Sequence, residues 1–248
     1  MALFGLVVGS FCNVVIYRLP RRLSPLRGRS HCPSCGSRIE WWQNIPVVSW
    51  LALRGRCASC KEPIPVLYPV VESLVALLFI GVGWRYENWA EVAAFSAMAA
   101  SLVCVSFIDL DWRIIPRAIL YPASGIVAGL LAVAALSQHR MSSWLDALAG
   151  GAIGFGVFYL IHAISPRGMG FGDVRLAGFG GFGLGYLGLG SVAVGLMAAF
   201  ALGGLAGLGL IAAGRANRHS SMPFGPALAT GIAVGILWGP ELARAWLG

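Results

Sequence analysis

Apolar residues in this chain run on for about the 20 positions that a helix needs to cross hydrocarbon. Such runs can be drawn at 1–17, 68–86, 90–109, 118–137, 144–165, 173–188, 190–214 and 222–247. The stretch from Asp173 to Gly214 holds 42 residues, too long for one crossing, so it is folded into a hairpin near Gly188 to Ser191. The pattern predicts an all-α polytopic membrane protein of about eight transmembrane helices, with seven as the nearest alternative. One polar stretch interrupts it early, and the expected division is a first transmembrane helix over 1–18, a loop domain over 19–67 and a multispan core over 68–248.

Composition agrees about the solvent. With 58% hydrophobic and only 11% charged residues, 248 residues would make a very greasy soluble domain but an ordinary multispan protein. Charge then orients the chain. If 18–67 faces the cytoplasm, the inside segments collect Arg18, Arg21, Arg22, Arg27, Arg29, Arg38, Arg54, Arg56, Lys61, Arg113, Arg117, Arg167, Arg175, Arg215 and Arg218. Only Arg85, Arg140 and Arg244 remain outside, a decisive positive-inside bias. The net charge of +8 is therefore mostly topology, and with no aromatic-basic face in view a nucleic-acid partner is not expected. Met1 to Ser10 carries no basic n-region, and no small-residue cleavage site follows. The first run is accordingly expected to be an uncleaved anchor, barely long enough to span.

The loop from Leu19 to Leu67 holds four of the six cysteines. Cys32-Pro-Ser-Cys35 and Cys57-Ala-Ser-Cys60 are two C-x-x-C knuckles separated by 21 residues, close to the spacing of tetrahedral zinc sites. Four thiolates leave no open coordination position, so the zinc is expected to be structural, stapling a segment too small to build its own core. A disulfide or a redox motif fits poorly on a reducing cytoplasmic side. His31 is expected to be a loop residue, and Cys12 and Cys104 are expected to pack within apolar helices.

Carboxylates in a membrane chain are costly and point to function. Asp109 closes the apolar run Ser101 to Ile108, and Asp173 ends Gly168-Met-Gly-Phe-Gly-Asp173. The topology brings both to the same cytoplasmic border although 63 residues lie between them. Two carboxyls sharing a site cannot both ionise near neutral pH, so one keeps a proton. That pair can hydrolyse a peptide: the ionised member takes a proton from water while the protonated one polarises the carbonyl. Gly170 and Gly172 would let backbone approach a bound peptide. Asp111 competes with Asp109, but two positions apart on a helix point to nearly opposite sides, and Asp109 is the deeper. Elsewhere, Gly150 with Gly154 and Gly203 with Gly207 have the spacing of close helix packing.

Taken together these residues resemble the prepilin peptidases, or type IV leader peptidases, integral membrane aspartic proteases of the G-x-G-D class. The resemblance is carried by Gly9-Ser-Phe-Cys-Asn-Val-Val-Ile-Tyr-Arg-Leu-Pro20, both cysteine knuckles, Ile45-Pro46, Tyr68-Pro-Val-Val-Glu72, Asp109 with Ile115-Pro116, Gly170-Phe-Gly-Asp173 and Pro223-Phe-Gly-Pro226. It implies that Asp109 and Asp173 are catalytic, and that the substrates are type IV prepilins or type II secretion pseudopilins. Their leaders would be cut at the cytoplasmic face of a bacterial inner membrane. It also implies N-methylation of the new terminus with S-adenosylmethionine, because the cysteine-bearing loop is present, and a methylation-linked role for Glu72. No glycine-rich nucleotide loop marks a cofactor site independently. Cys12, Arg117 and Arg175 depart from the family pattern, and the shortness of the first run raises the expectation of a native start upstream.

Other polar residues have plainer expectations. Glu72 falls in the first turn of its helix after Pro69, where a carboxylate suits the N-terminus. Asn13 and Ser10 are expected to bond between helices, and His162 to be a packing or interhelix residue. The competing function is a proton-coupled transporter in which the same aspartates relay protons, though no internal repeat marks paired halves. A catalytically dead scaffold is a third possibility, against which the two retained aspartates argue.

Overall fold

The computed structural model describes residues 1–166, 168–214 and 223–247. Among these the chain is helical, with no strand beyond two isolated bridges. The helices are α1 (Ala2–Arg18), a short α2 (Val48–Ala52), α3 (Leu67–Arg85), α4 (Trp89–Trp112), α5 (Arg117–Ser137), α6 (Met141–Ile164), α7 (Phe171–Tyr186), α8 (Leu189–Ala212) and α9 (Gly225–Leu247). A 3₁₀ turn covers Trp41–Asn44. Apart from α2, each helix lies on one of the eight apolar runs. Six of them, α3, α4, α5, α6, α8 and α9, are long and apolar enough to cross a membrane, so the chain is an integral membrane protein. At 17 residues α1 is a shorter apolar helix, and α7 has only 16, most of them buried within the bundle. The expectation of eight spans thus meets six that qualify by length. Arg167, Arg215 and Arg218 of the charge tally, and Met222 of the last run, lie outside the described residues.

The contacts divide the chain into two compact units, Met1–Trp84 and Arg85–Gly248. In the first, α3 packs with α1, and Glu72 of α3 reaches the cysteine loop at Val47. The packing is backbone to backbone. A Cβ on Gly5 would sit 2.6 Å from Ala76 Cα, and one on Gly9 2.7 Å from Glu72 Cα.

In the second unit α4 is the central helix: 67% of its apolar window is buried, against 22–44% for α5, α6, α8 and α9. Asn88 starts it by accepting the N–H groups of Ala90 and Glu91, and Arg113 ends it in the left-handed region. Pro116 then caps the entry to α5. Gly188, at φ 116°, makes the break between α7 and α8 where the long apolar run was expected to fold back. Helices α6 and α7 lie in intimate contact, with Gly150 and Gly154 of one facing Gly181 and Ala177 of the other. Any side chain there would strike the opposing backbone, as in small-residue interfaces of membrane helices. Of the second glycine pair, Gly203 receives the Phe224 ring.

Candidate active site

Asp109 and Asp173 reach one place from opposite directions. Asp109 stands in the last turn of α4 and Asp173 in the first turn of α7, close enough for the charge of one to act on the other. Both are buried, at 5% and 9% exposure, whereas Asp111 is exposed on the same continuing helix. The separation of roles by helical face therefore follows from α4 running on through Trp112.

Each carboxylate has a different environment. The Gly225 N–H, at the start of α9, donates to Asp109 Oδ2 at 3.0 Å, and the positive end of that helix faces the carboxylate. The charge of Arg113 also acts on Asp109. Asp173 Oδ1 is buried without a hydrogen-bond partner. An orphaned buried oxygen is expensive unless another group meets it, which suits an oxygen that awaits a substrate or a water.

Glycines make the approach possible. A Cβ on Gly172 would lie 2.9 Å from Ile115 Cβ, so the loop after α4 can pack onto the turn that carries Asp173 only because that position is bare. A Cβ on Gly170 would come within 3.3 Å of Asp173 Oδ2. His162 does more than pack between helices. Its Nδ1 is 2.7 Å from the Met169 carbonyl and its ring meets Phe171 edge-on, so it braces the segment leading into Asp173. Gly225 was not singled out as a donor from sequence. The Pro223-Phe-Gly-Pro226 turn was the available signal, but a backbone N–H leaves no mark in a residue pattern.

In the first unit the four thiols of Cys32, Cys35, Cys57 and Cys60 lie within 4.8 Å of one another, and could hold a metal ion. The two knuckles are built alike. Each is closed by an antiparallel bridge, His31 with Arg38 and Arg56 with Pro63. The N–H of each leading cysteine donates five positions on, Cys32 to Ser37 at 2.9 Å and Cys57 to Glu62 at 2.8 Å. After each second cysteine comes a left-handed residue, Gly36 at φ 71° and Lys61 at φ 63°. Backbone N–H groups of Cys60 and Ser59 draw the Cys57 thiol down to about 6. Cys60 moves the other way, to about 12: burial and the three neighbouring thiols outweigh the lowering hydrogen bond from Glu62. Thiols so crowded cannot all ionise unless a cation joins them. His31 stands apart, near the Arg29 carbonyl.

Glu72 departs from expectation. It is the sixth residue of α3, past the first turn, and its carboxylate does not serve its own helix. Instead Oε2 accepts the Val47 N–H at 2.7 Å. Val47, at φ 61° and ψ −50°, sits in a γ-turn closed from the Val48 N–H to the Pro46 carbonyl at 2.6 Å. That conformation is strained for a β-branched residue. Ser10 also bonds to Glu72, and Asn13 donates to the Tyr68 carbonyl at 3.1 Å, tying α1 to α3 as expected. Above Glu72 opens a cavity of about 230 Å³ whose walls include Ser10, Asn13, Gln43, Trp50 and Tyr68. Cys12 and Cys104 are buried in helices, in keeping with packing roles.

Two family models match the chain, the bacterial peptidase A24 N-terminal domain over residues 3–86 and the type IV leader peptidase family over residues 96–212. Similar curated proteins carry the name prepilin leader peptidase/N-methyltransferase. The one from Pseudomonas putida is 35% identical over 96% of this chain and 89% of its own length. The Bacillus subtilis protein is 32% identical over 97% and 94%, and the Pseudomonas aeruginosa protein 32% over 99% and 91%. No solved structure matches. Nothing in these comparisons supports a proton-coupled transporter.

Proposed function

We propose, for a chain that belongs to the type IV leader peptidase family, that Asp109 and Asp173 form the catalytic pair of a membrane endopeptidase that removes the leader from prepilins or pseudopilins. The observation that carries this reading is the meeting of two buried carboxylates from two antiparallel helices. One is held by the Gly225 N–H and the other has an oxygen without a partner. In this mechanism the ionised carboxylate takes a proton from a water molecule as that water attacks the scissile carbonyl. The protonated one donates to the carbonyl oxygen to give a gem-diol; the proton taken from water then passes to the departing amine while a gem-diol hydroxyl returns a proton to the other carboxylate. The Gly225 N–H holds one oxygen of Asp109 in place, and the two neighbouring carboxyls share a single proton. Bare Gly170 leaves Asp173 Oδ2 unobstructed, and bare Gly172 lets Ile115 pack onto the turn that carries it. The reading places the site at the cytoplasmic face of a bacterial inner membrane, on the charge bias of the loops.

The relatives' names add an N-methyltransferase activity, whose acceptor in this reading is the newly exposed amine. S-adenosylmethionine would supply an electrophilic methyl group there. The cavity in the first unit has features that fit such a donor, with aromatic walls at Trp50 and Tyr68 and a buried carboxylate, Glu72, able to face a sulfonium charge. Glu72, held by the Val47 N–H, and Asn13 would orient the ligand. The four cysteines fit zinc. Cys32 and Cys60 have sulfurs 3.8 Å apart, which is about the edge of a tetrahedron with zinc–sulfur bonds of ~2.3 Å. Zinc there would neutralise the crowded thiolates and pin the two knuckles together.

The test is to incubate the purified full-length protein in detergent with a prepilin peptide, alone and with S-adenosylmethionine, and to read the product masses. The reading expects leader release without the methyl donor and a product heavier by one methyl group with it. No cleavage by the wild type, or undiminished cleavage by the double variant Asp109→Asn/Asp173→Asn, would refute it.

A further inference from the structure

The two helices that carry the aspartates are joined again at their far ends. Glu91, in the first turn of α4, is buried at 7% exposure, and Tyr186, the last residue of α7, at 2%. The Tyr186 hydroxyl donates to Glu91 Oε1 at 3.0 Å, and Gln138, at the end of α5, donates to the same oxygen at 2.8 Å. The Phe95 ring meets Tyr186 edge-on, with centroids 6.4 Å apart.

Glu91 and Asp109 are separated by roughly 27 Å of helix, and Asp173 and Tyr186 by about 20 Å. Along that length α4 and α7 meet through side chains such as Met98, which fills the space at Gly183. Thioether and glycine contacts of this kind do not specify axial register, because the thioether adapts to small slides. A hydrogen bond between a phenol and a buried carboxylate does, since its length and angle tolerate little movement and an unpaired buried carboxylate is costly.

From this, and resting on the reading of Asp109 and Asp173 as the catalytic pair, we infer that the Glu91–Tyr186 clasp sets the register of α4 against α7 and thereby the separation of the two aspartates. Glu91 and Tyr186 are positioning residues, with no contact to the reacting atoms. Separation is what they control, and separation governs how strongly one carboxyl's charge acts on the other. It also governs the interval between the two limbs of the pH–rate profile.

Three variants test this in the full-length protein in detergent, with cleavage of a prepilin peptide followed across pH. Tyr186→Phe removes only the hydroxyl, Glu91→Ala removes the acceptor, and Glu91→Gln keeps an oxygen that accepts from the phenol. Tyr186→Phe and Glu91→Ala should lower kcat by roughly tenfold to a hundredfold with KM unchanged. The acid and alkaline limbs should also draw closer together, and Glu91→Gln should restore most of the rate. If the rate falls only in proportion to the folded fraction measured by circular dichroism, with the limbs unmoved, the clasp merely stabilises and the inference is overturned. Full activity in Tyr186→Phe overturns it as well. Asp109→Asn and Asp173→Asn run in parallel. Should they cleave normally, the catalytic reading itself fails and the inference falls with it; should they be inert while the profile of Tyr186→Phe matches wild type, only the clasp is wrong.

Discussion

Replacing Gly225 by alanine separates the chemistry from the fold. The added Cβ would lie 2.6 Å from Asp109 Oδ2, 3.1 Å from its Cγ and 3.2 Å from its Cβ, where ordinary contact begins at 3.4 Å. The carboxylate must therefore retreat by about 0.8 Å, and a displacement near 1 Å is enough to cost roughly a hundredfold in rate. The Gly225 N–H bond to the carboxylate stretches at the same time, and bonds to charged groups contribute about 1.5–3 kcal/mol. The helix itself loses nothing. Alanine is the better helix former by up to ~1 kcal/mol, and the strained partner is the end of a short side chain that can rotate away. Gly225→Ala should thus lower kcat for leader release by about tenfold to a hundredfold while its thermal midpoint falls only slightly, the gain in helix propensity offsetting part of the weakened bond. Peptide cleavage kinetics and a thermal melt in the same detergent decide it. Wild-type cleavage by Gly225→Ala would refute the argument that this N–H holds a working carboxylate, and so would loss of activity explained by unfolding.

Other expectations follow from the same structure. Glu72→Ala should free the Val47 N–H and relax the γ-turn, cutting methyl transfer by at least tenfold while leader release continues; product masses read both at once. Gly36→Ala should weaken metal retention by about 1 kcal/mol, because its φ of 71° is costly for any residue with a Cβ; the midpoint of zinc release to a competing chelator measures it. In metal-stripped protein Cys57, drawn down to about 6, is a thiolate above that pH and a thiol below it. It should be alkylated at lower pH than Cys60, which is pushed up to about 12, and residue-resolved mass spectrometry of the adducts reports the order. Metal retention should likewise fall as pH falls, since each ligand must lose a proton to bind.

What could be read in the chain beforehand was what depends on neighbours in sequence. Hydrocarbon thickness imposes its length on apolar runs, so helix positions were legible to within a few residues, including the fold-back at Gly188. Knuckle spacing likewise announced the thiol cluster. Contacts between distant segments left weaker traces. Glu72 looked like a helix-starting carboxylate because Pro69 precedes it closely, yet its partner is the N–H of Val47, 25 residues away. Glu91 drew no notice because a first-turn acid after Asn88 is ordinary, and only the packing of α7 shows that Tyr186 meets it. The likeness of the two knuckles, with Lys61 in the conformation that Gly36 adopts, was hidden because only one of them has the glycine.

The central claim is tested most directly by the rates at which full-length wild type, Asp109→Asn, Asp173→Asn and Asp111→Asn release the leader from one prepilin peptide at one pH. Two buried carboxylates acting together predict that the Asp109 and Asp173 variants each lose cleavage to the limit of detection, while Asp111→Asn keeps most of it. Retained cleavage in either of the first two, or its loss in the third, would contradict the account.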